Sequence, residues 1–111
     1  MTKQEVDSTV FDDTITTGSN ETMTVSTSRA DDVLILIDDG TAGGAPPQYT
    51  MTQRVKFDEI DEFQFYDDVT GETSRSWVDP AWGNQMEFEF NNTSGADAAY
   101  RIVIKAYRTM D

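Results

Sequence analysis

Five consecutive aliphatic residues, Val33-Leu34-Ile35-Leu36-Ile37, lie between acidic residues in the first half of this 111-residue chain. Valine and isoleucine are favoured in strands, and successive side chains of a strand point to opposite faces. Both faces of the run are therefore apolar, as in a strand that is buried on each side of its sheet. We predict that this strand forms the centre of the core and is covered from both sides.

Alternation of apolar and polar residues continues on both sides of this run, from about residue 10 to the end of the chain. It is clearest where Met86, Phe88 and Phe90 alternate with Glu87 and Glu89. Clusters of Gly, Pro, Asn and Asp separate the alternating segments and indicate turns. The predicted strands run near residues 10–16, 21–26, 33–37, 48–58, 63–67, 72–78, 85–91 and 98–108. This pattern predicts an all-β fold: a single-domain antiparallel β-sandwich, jelly-roll-like, with about eight strands.

Two of these segments carry finer predictions about which side chains face the core. In the segment 48–58, Gln53 interrupts an otherwise apolar inner row. In the next segment, Phe63 and Phe65 share one face of the strand and Tyr66 lies on the other. We therefore expect the two phenylalanines to point to the same side of the sheet.

The first nine residues are polar and differ from the rest of the chain. We predict an N-terminal arm over residues 1–9 and a β-sandwich domain over residues 10–111. The arm is expected to dock on a neighbouring subunit, with Val6 and Val10 as candidate contact residues. No secretory signal peptide is expected, because the start of the chain lacks the apolar stretch that such a signal needs. The longest apolar run has five residues, against the roughly 20 of a membrane-spanning helix, so we expect no membrane association.

The charge of the chain is its most unusual property. There are 21 Asp and Glu residues, 8 Lys and Arg residues and no His, which gives a net charge of −13. Such a surface repels itself in dilute salt, whereas 1 M salt screens charges over a Debye length of about 3 Å. We therefore predict a protein adapted to concentrated salt, as in a halophile. Binding to nucleic acid is not expected, because it requires clustered Lys and Arg.

The sequence offers few groups for catalysis. Histidine and cysteine are both absent, which removes the usual general base near neutral pH and the best nucleophile. We expect a protein that is not an enzyme, with no catalytic residues and no cofactor beyond weakly bound Na⁺, K⁺ or Ca²⁺. Clustered carboxylates on loops are the ligands that hard cations prefer. The candidate metal ligands are Asp38, Asp39, Asp67, Asp68 and Glu72.

Two tryptophans suggest a possible contact site. Trp77 and Trp82 are separated by four residues, and Tyr66 is a third aromatic candidate. In one interpretation Trp77 caps the core and Trp82 anchors a loop. In the other, they form a surface platform that stacks on a sugar ring. The second interpretation gains if Trp82 lies beside Trp77 or Tyr66 on an open face.

The order of these segments, over roughly residues 10–108, resembles small β-sandwich virion proteins of tailed viruses. The resemblance rests on Asp13-Thr14-Ile15-Thr16-Thr17-Gly18, Val33–Ile37, Tyr49-Thr50-Met51-Thr52, Trp77, Asn91-Asn92-Thr93-Ser94-Gly95 and Tyr100–Tyr107. Together with the acidic surface, it implies a structural protein of a haloarchaeal tailed virus, either a capsid decoration protein or another head or tail component.

The resemblance also implies partners and a location. The partners would be copies of the chain itself, in a homo-oligomer, and other virion proteins such as the major capsid protein. The location would be the virion, assembled in the cytoplasm of a halophilic archaeal host. The alternative is a carbohydrate- or cell-surface-binding β-sandwich module, within a virion adhesion apparatus or free, with Trp77 and Trp82 as the stacking platform.

Overall fold

The structure is a computed structural model that describes residues 2–57, 59–70 and 76–110, apart from the side chains of residues 61 and 68–70. The described residues form eight strands and no helix. The strands are β1 (Thr2–Ile15), β2 (Asn20–Ser26), β3 (Asp32–Asp38), β4 (Tyr49–Phe57), β5 (Ile60–Thr70), β6 (Ser76–Pro80), β7 (Gln85–Asn92) and β8 (Ala98–Met110).

The strands are arranged in two antiparallel sheets of four. The front sheet has the order β1-β8-β3-β6, and the back sheet has the order β2-β7-β4-β5. Every connection passes from one sheet to the other, except the hairpin between β4 and β5. This arrangement is that of a jelly roll. The predicted all-β, jelly-roll-like antiparallel β-sandwich is therefore confirmed.

The core lies between the two sheets and is filled by the inward row of each strand. Aromatic rings occupy its centre: Tyr49 stacks on Phe90 with ring centroids 4.6 Å apart, and Tyr100 meets Phe90 edge-on at 4.9 Å. Offset stacked and edge-on pairs are the arrangements that aromatic quadrupoles favour. The buried hydrophobic residues are Ile15, Met23, Val25, Val33, Ile35, Ile37, Tyr49, Met51, Val55, Met86, Phe88, Phe90, Tyr100, Ile102, Ile104 and Ala106.

One end of the sandwich is fixed by the buried side chain of Asn92. Its Nδ2 donates hydrogen bonds to the carbonyl oxygens of Ile15 at 2.7 Å and Ala96 at 2.8 Å. Its Oδ1 accepts hydrogen bonds from the Tyr100 hydroxyl at 3.0 Å and from the Ser94 backbone N–H at 2.9 Å. A buried amide that is satisfied in this way ties β7 to the end of β1 and to the β7–β8 turn.

The aliphatic run forms most of β3, which lies inside the front sheet between β8 and β6. Val33, Ile35 and Ile37 point inward and are fully buried. Leu34 and Leu36 point outward and are only half-buried, and no described element packs over them. The prediction of a central core strand is therefore right for the inner face of β3. The prediction that β3 is covered on both sides is wrong for a single copy of the chain, because the sandwich has only two layers.

Residues 2–9 of the predicted N-terminal arm lie within β1. Residues 2–9 pair with the last part of β8, starting with Thr2 opposite Met110. A register shift between Glu5 and Asp7 leaves Val6 outside the regular pairing, where it packs against the core. The strand therefore begins well before the predicted position near residue 10. Docking of residues 1–9 on a neighbouring subunit stays a prediction.

The side-chain alternation predicted for the segment 63–67 agrees with the register of β5 as far as Tyr66. Phe65 lies opposite the outward Arg54, and the Phe63 ring lies 5.7 Å from Nζ of the outward Lys56, whereas Gln64 lies opposite the inward Val55. Phe65 is 67% exposed, whereas Phe63 is half-buried and Tyr66 packs against the core. The pairing of β4 with β5 becomes irregular at this point, because Arg54 lies opposite Phe65 and Gln53 opposite Asp67, which leaves Tyr66 as an extra residue in β5. Such a bulge re-aims the side chains beside it.

Candidate functional site

An aromatic groove lies beside the end of the β4–β5 hairpin. It has a volume of 310 Å³ and is lined by Val55, Phe57, Gln64, Phe65, Tyr66 and Trp82. Three of these side chains are strongly exposed for their type: Phe57 at 40%, Phe65 at 67% and Trp82 at 46%. Apolar rings are unusual on the surface of so acidic a chain, and a contiguous group of them typically marks a contact site.

Trp82 and Tyr66 are joined directly in this groove. The indole Nε1 of Trp82 donates a hydrogen bond to the Tyr66 hydroxyl at 3.1 Å, and the two rings are 6.4 Å apart and tilted by 54°. The backbone beneath the indole is also fixed, because the buried Thr27 hydroxyl lies 2.9 Å from the carbonyl oxygen of Trp82 and 3.1 Å from that of Gly83. The tryptophan is therefore held in place before any ligand arrives.

Gly83 allows the chain to turn at this point. It has a φ of +63°, in the left-handed region that only glycine adopts without strain. A Cβ atom at this position would lie 2.5 Å from the carbonyl oxygen of Lys56 and 2.6 Å from Cγ1 of Val55. The close approach brings the Trp82 segment against the end of β4 and so forms one wall of the groove.

The other candidate contact residues lie elsewhere. Trp77, in β6, is half-buried against the core, and its Nε1 lies 3.2 Å from a carboxylate oxygen of Asp79. It does not line the groove, so the two tryptophans do not form a shared platform. Val6 packs against the core, whereas Val10 is 60% exposed on the outer surface of the front sheet. Of the five candidates, the structure brings together only Tyr66 and Trp82.

A second apolar surface was not predicted as a site. It is the outer side of the front sheet, which we call the front face, and a depression of 210 Å³ lies on it. Two of its side chains are strongly exposed, Val10 at 60% and Val78 at 59%, and the others are half-buried. The apolar residues of the front face are Val10, Leu34, Leu36, Val78, Val103 and Tyr107.

Signals for this face were present in the sequence. The aliphatic run Val33–Ile37 is apolar on both sides, and in β8 the outward residues Val103 and Tyr107 alternate with Arg101 and Lys105. Neither signal shows that these residues belong to neighbouring strands. Only the pairing of β3 with β8, β8 with β1 and β3 with β6 brings them together.

The charged residues around the front face are paired with one another. Arg101 forms a two-pronged ion pair with the buried carboxylate of Asp38, at 2.9 and 2.5 Å. The hydrogen bond from Arg101 is the main reason that the pKa of Asp38 is lowered. Lys105 binds Glu5 at 2.7 Å, which raises the lysine pKa. Lys3 binds both Asp32 and the Thr109 hydroxyl.

Two of the candidate metal ligands, Asp38 and Asp39, are engaged by neighbouring protein groups. Both carboxylate oxygens of Asp38 are bound by Arg101, and one also accepts the N–H of Gly40 at 2.9 Å. The carboxylate of Asp39 accepts hydrogen bonds from the N–H and hydroxyl of Thr41, which lower its pKa. In the described part of the chain, no three His, Cys, Asp or Glu residues cluster as metal ligands.

The remaining predicted ligands are only partly covered by the structure. The backbone of Asp67 and Asp68 lies in β5, opposite Gln53 and Thr52 of β4. The side chain of Asp68 and the whole of Glu72 lie outside the described residues. Metal binding at this place therefore stays a prediction.

Comparisons with known proteins give no family for this chain. No family model and no curated protein matches it. Among solved structures, it is similar to the crystal structure of FlhE, with 12% identity, 92% of this chain and 98% of that chain covered, and a TM-score of 0.37. It is also similar to the crystal structure of PirA, with 12% identity, 96% and 92% covered, and a TM-score of 0.42. Likenesses this weak carry no argument about function.

The two surfaces offer different groups for non-covalent contacts. The aromatic groove offers ring faces, an amide from Gln64 and a hydroxyl from Tyr66. The front face offers aliphatic area bordered by ion pairs. Among the residues that the structure describes, no helix is suited to crossing a lipid bilayer.

Proposed function

We propose that this chain is a non-enzymatic structural protein of a virus of a halophilic archaeon, which decorates or cements the capsid through contacts between subunits. One observation supports the proposal most directly. Of the seven large hydrophobic residues that are exposed among the described residues, two lie on the front face and three line the aromatic groove, and a sixth, Ile60, pairs with the groove residue Phe57. A monomer with a net charge of −13 has no need to gather its exposed apolar side chains into two contiguous patches.

A rigid jelly roll suits this role. The two sheets share one core of interlocked aliphatic and aromatic side chains, and Asn92 ties the strands together at one end. A cementing protein needs a scaffold that does not deform, with surfaces that fit copies of itself or a shell. The acidic residues elsewhere would stay hydrated towards concentrated salt.

The test is the composition of virus particles. Particles of a halophilic tailed virus that encodes this chain would be purified on a density gradient and treated with nuclease, and the chain would be quantified by mass spectrometry against the major capsid protein. We expect a fixed, stoichiometric ratio that persists after washing, whereas a host cytoplasmic protein would be washed away. Absence of the chain from infectious particles would contradict the proposal.

The position of Trp82 favours a second candidate function, the binding of carbohydrate. Its indole is 46% exposed and lies beside Tyr66 on an open groove, with Phe65 as a second exposed ring. Aromatic rings beside amide and hydroxyl groups are the typical components of a sugar-binding surface. The platform would then be formed by Trp82, Tyr66 and Phe65, and Trp77 would take no part.

Tryptophan fluorescence tests this candidate. In a Trp77→Phe variant, Trp82 is the one tryptophan that still fluoresces. We expect neutral oligosaccharides of glucose, mannose or N-acetylglucosamine to change its emission in a saturable way. Phe65→Ala should weaken the response, whereas Val10→Ala, on the other sheet, should leave it unchanged. No response up to about 10 mM sugar, ten times a Kd of 1 mM, would rule out this function.

A further inference from the structure

The front face is apolar at its centre and spans all four strands of its sheet. One row across the sheet consists of Val10, Val103, Leu36 and Ser76. The next row consists of Ser8, Lys105, Leu34 and Val78. Neighbouring strands lie about 4.8 Å apart, so these side chains form one continuous surface.

The charge of this face differs from that of the rest of the chain. By the strand register, its outward side chains include the bases Lys3, Arg101 and Lys105 and the acids Glu5, Asp12, Asp32 and Asp38, a net charge of −1. The chain as a whole carries −13, so twelve of the net negative charges lie elsewhere. Each base is already paired with an acid of the same face.

This charge distribution determines which partner the face suits. A basic partner would be drawn to the other surfaces, where the negative charge is concentrated. A second copy of the chain is repelled by those surfaces and meets the least repulsion at the front face. A two-fold pair also requires a self-complementary patch. A face whose apolar side chains lie among ion pairs of its own, including Lys105 with Glu5, meets that requirement.

The size of the face is sufficient for such a pair. Four strands and the nine residues from Arg101 to Thr109, which are eight steps along β8, give a face of about 19 by 27 Å, or roughly 500 Å² for each copy. Two copies would bury about 1,000 Å² in total, which is near the lower limit for a specific interface. The half-buried Val103, Leu34 and Leu36 on the two central strands would become the dry core of the interface, and the exposed Val10 and Val78 on the two edge strands would extend it to either side.

We infer that the front face is a self-association surface, on which two copies of this chain pack front sheet to front sheet in concentrated salt. The second copy then supplies the missing cover over the outer side of β3. This inference rests on the proposed structural role, since it names one contact by which the protein would assemble. It adds to that role a specific surface and a specific partner.

Light scattering coupled to size exclusion tests the inference on the full chain in about 2 M KCl, where charges are screened. The protein concentration is varied from 10 µM to 1 mM, about a hundredfold range around the Kd values that are typical of weak dimers. Over this range we expect the molar mass to rise from 12.4 kDa towards twice that value. A constant monomer mass over the whole range would overturn the inference. Such a result would not affect the test of particle composition, so a failure of this inference can be distinguished from a failure of the proposed structural role.

Matched variants locate the contact. Val10→Asp together with Val78→Asp places two charges at exposed positions of the front face, and we expect a monomer at every concentration with unchanged circular dichroism. Phe57→Asp together with Phe65→Asp makes the same change in the aromatic groove, and we expect it to leave the dimer intact. The reverse result, with the dimer lost only in the phenylalanine variant, would overturn the inference in favour of the groove.

Spin labels give a second measurement that does not depend on a disruptive variant. The chain has no cysteine, so a nitroxide attaches only where a cysteine is introduced. In the proposed pair, four sheets are stacked about 10 Å apart. Ser8→Cys labels on the two front sheets would then lie near the two-fold contact. Thr24→Cys labels on the two back sheets would lie about 20 Å further from each other than the Ser8→Cys labels. A longer distance between copies for Ser8→Cys than for Thr24→Cys would overturn the inference.

Discussion

Gln53 is a polar side chain in an otherwise apolar inner row. It is 1% exposed in β4, opposite Phe88 of β7, and its Oε1 atom has no hydrogen-bond partner among the described residues. A buried acceptor without a partner costs free energy, because it has lost its bonds to water and gained none. The residue also lies at the register shift between β4 and β5, beside the extra residue Tyr66.

Replacing Gln53 with leucine should therefore stabilise the fold. We expect Gln53→Leu to raise the free energy of unfolding by about 1 kcal/mol, or roughly 4 °C in melting temperature. Urea unfolding followed by circular dichroism measures the change. The control is Gln64→Leu at an exposed position of β5, which should be close to neutral. A loss of stability in Gln53→Leu would show that the amide contributes more than its contacts indicate.

The Trp82 segment shows how a single glycine shapes an element. Gly83 combines a φ of +63° with a close approach to β4, so a side chain there would be strained twice. We expect Gly83→Ala to cost about 2–4 kcal/mol, from the left-handed backbone and from the displaced β4 carbonyl. Thermal melting gives the cost, and the emission maximum of Trp82 should shift because the groove wall moves.

Gly18 supplies the matched control for this prediction. Its φ is +75°, close to that of Gly83, but a Cβ atom there meets no other atom within 4 Å. Gly18→Ala should therefore cost only the backbone strain, about 1–2 kcal/mol, and should leave the Trp82 emission unchanged. Equal losses in the two variants would mean that the close approach at Gly83 contributes nothing.

The elements differ in how well the sequence predicts them. Strand positions follow from alternation, and β7 matches its prediction because Met86, Phe88 and Phe90 face the core while Glu87 and Glu89 do not. Alternation fails where a bulge adds a residue, because every side chain beyond it changes face. In β5 the extra residue is Tyr66, so the predicted alternation holds up to that residue and not beyond it. The aromatic groove depends instead on the contact of Trp82 with Tyr66, which joins two separate segments and is not contained in local alternation.

The pairing of distant strands is the other limit. The sequence indicates that Val33–Ile37 is apolar on both faces, but it does not indicate which strands lie beside it. The front face exists only because residues near 10, 34, 78 and 103 meet across the front sheet. Long-range register of this kind depends on the whole jelly roll, and local patterns do not contain it.

Over the whole molecule, the net charge of −13 opposes folding in dilute salt. The ion pairs on the front face and the pairing of Arg54 with Glu87 and Glu89 offset only part of this repulsion. Because the Debye length falls from about 10 Å at 0.1 M to about 3 Å at 1 M, added salt should stabilise the folded chain. We expect the unfolding free energy to rise by roughly 2 kcal/mol, and the melting temperature by about 10 °C, between 0.1 and 2 M KCl.

A variant with fewer acids separates charge screening from a general effect of salt on apolar surface. Asp12→Asn, Glu21→Gln and Glu59→Gln together reduce the net charge from −13 to −10 without changing a buried residue. If charge screening is the cause, the variant should have a higher melting temperature than the wild-type chain in 0.1 M KCl. The difference in melting temperature should be smaller in 2 M KCl, because salt then screens the repulsion that the removed charges contribute. Melting curves at low micromolar protein keep self-association from contributing. If the melting temperatures of the two proteins instead rise in parallel with salt, the stabilisation comes from the effect of salt on apolar burial. The acidic surface would then have no role in salt adaptation.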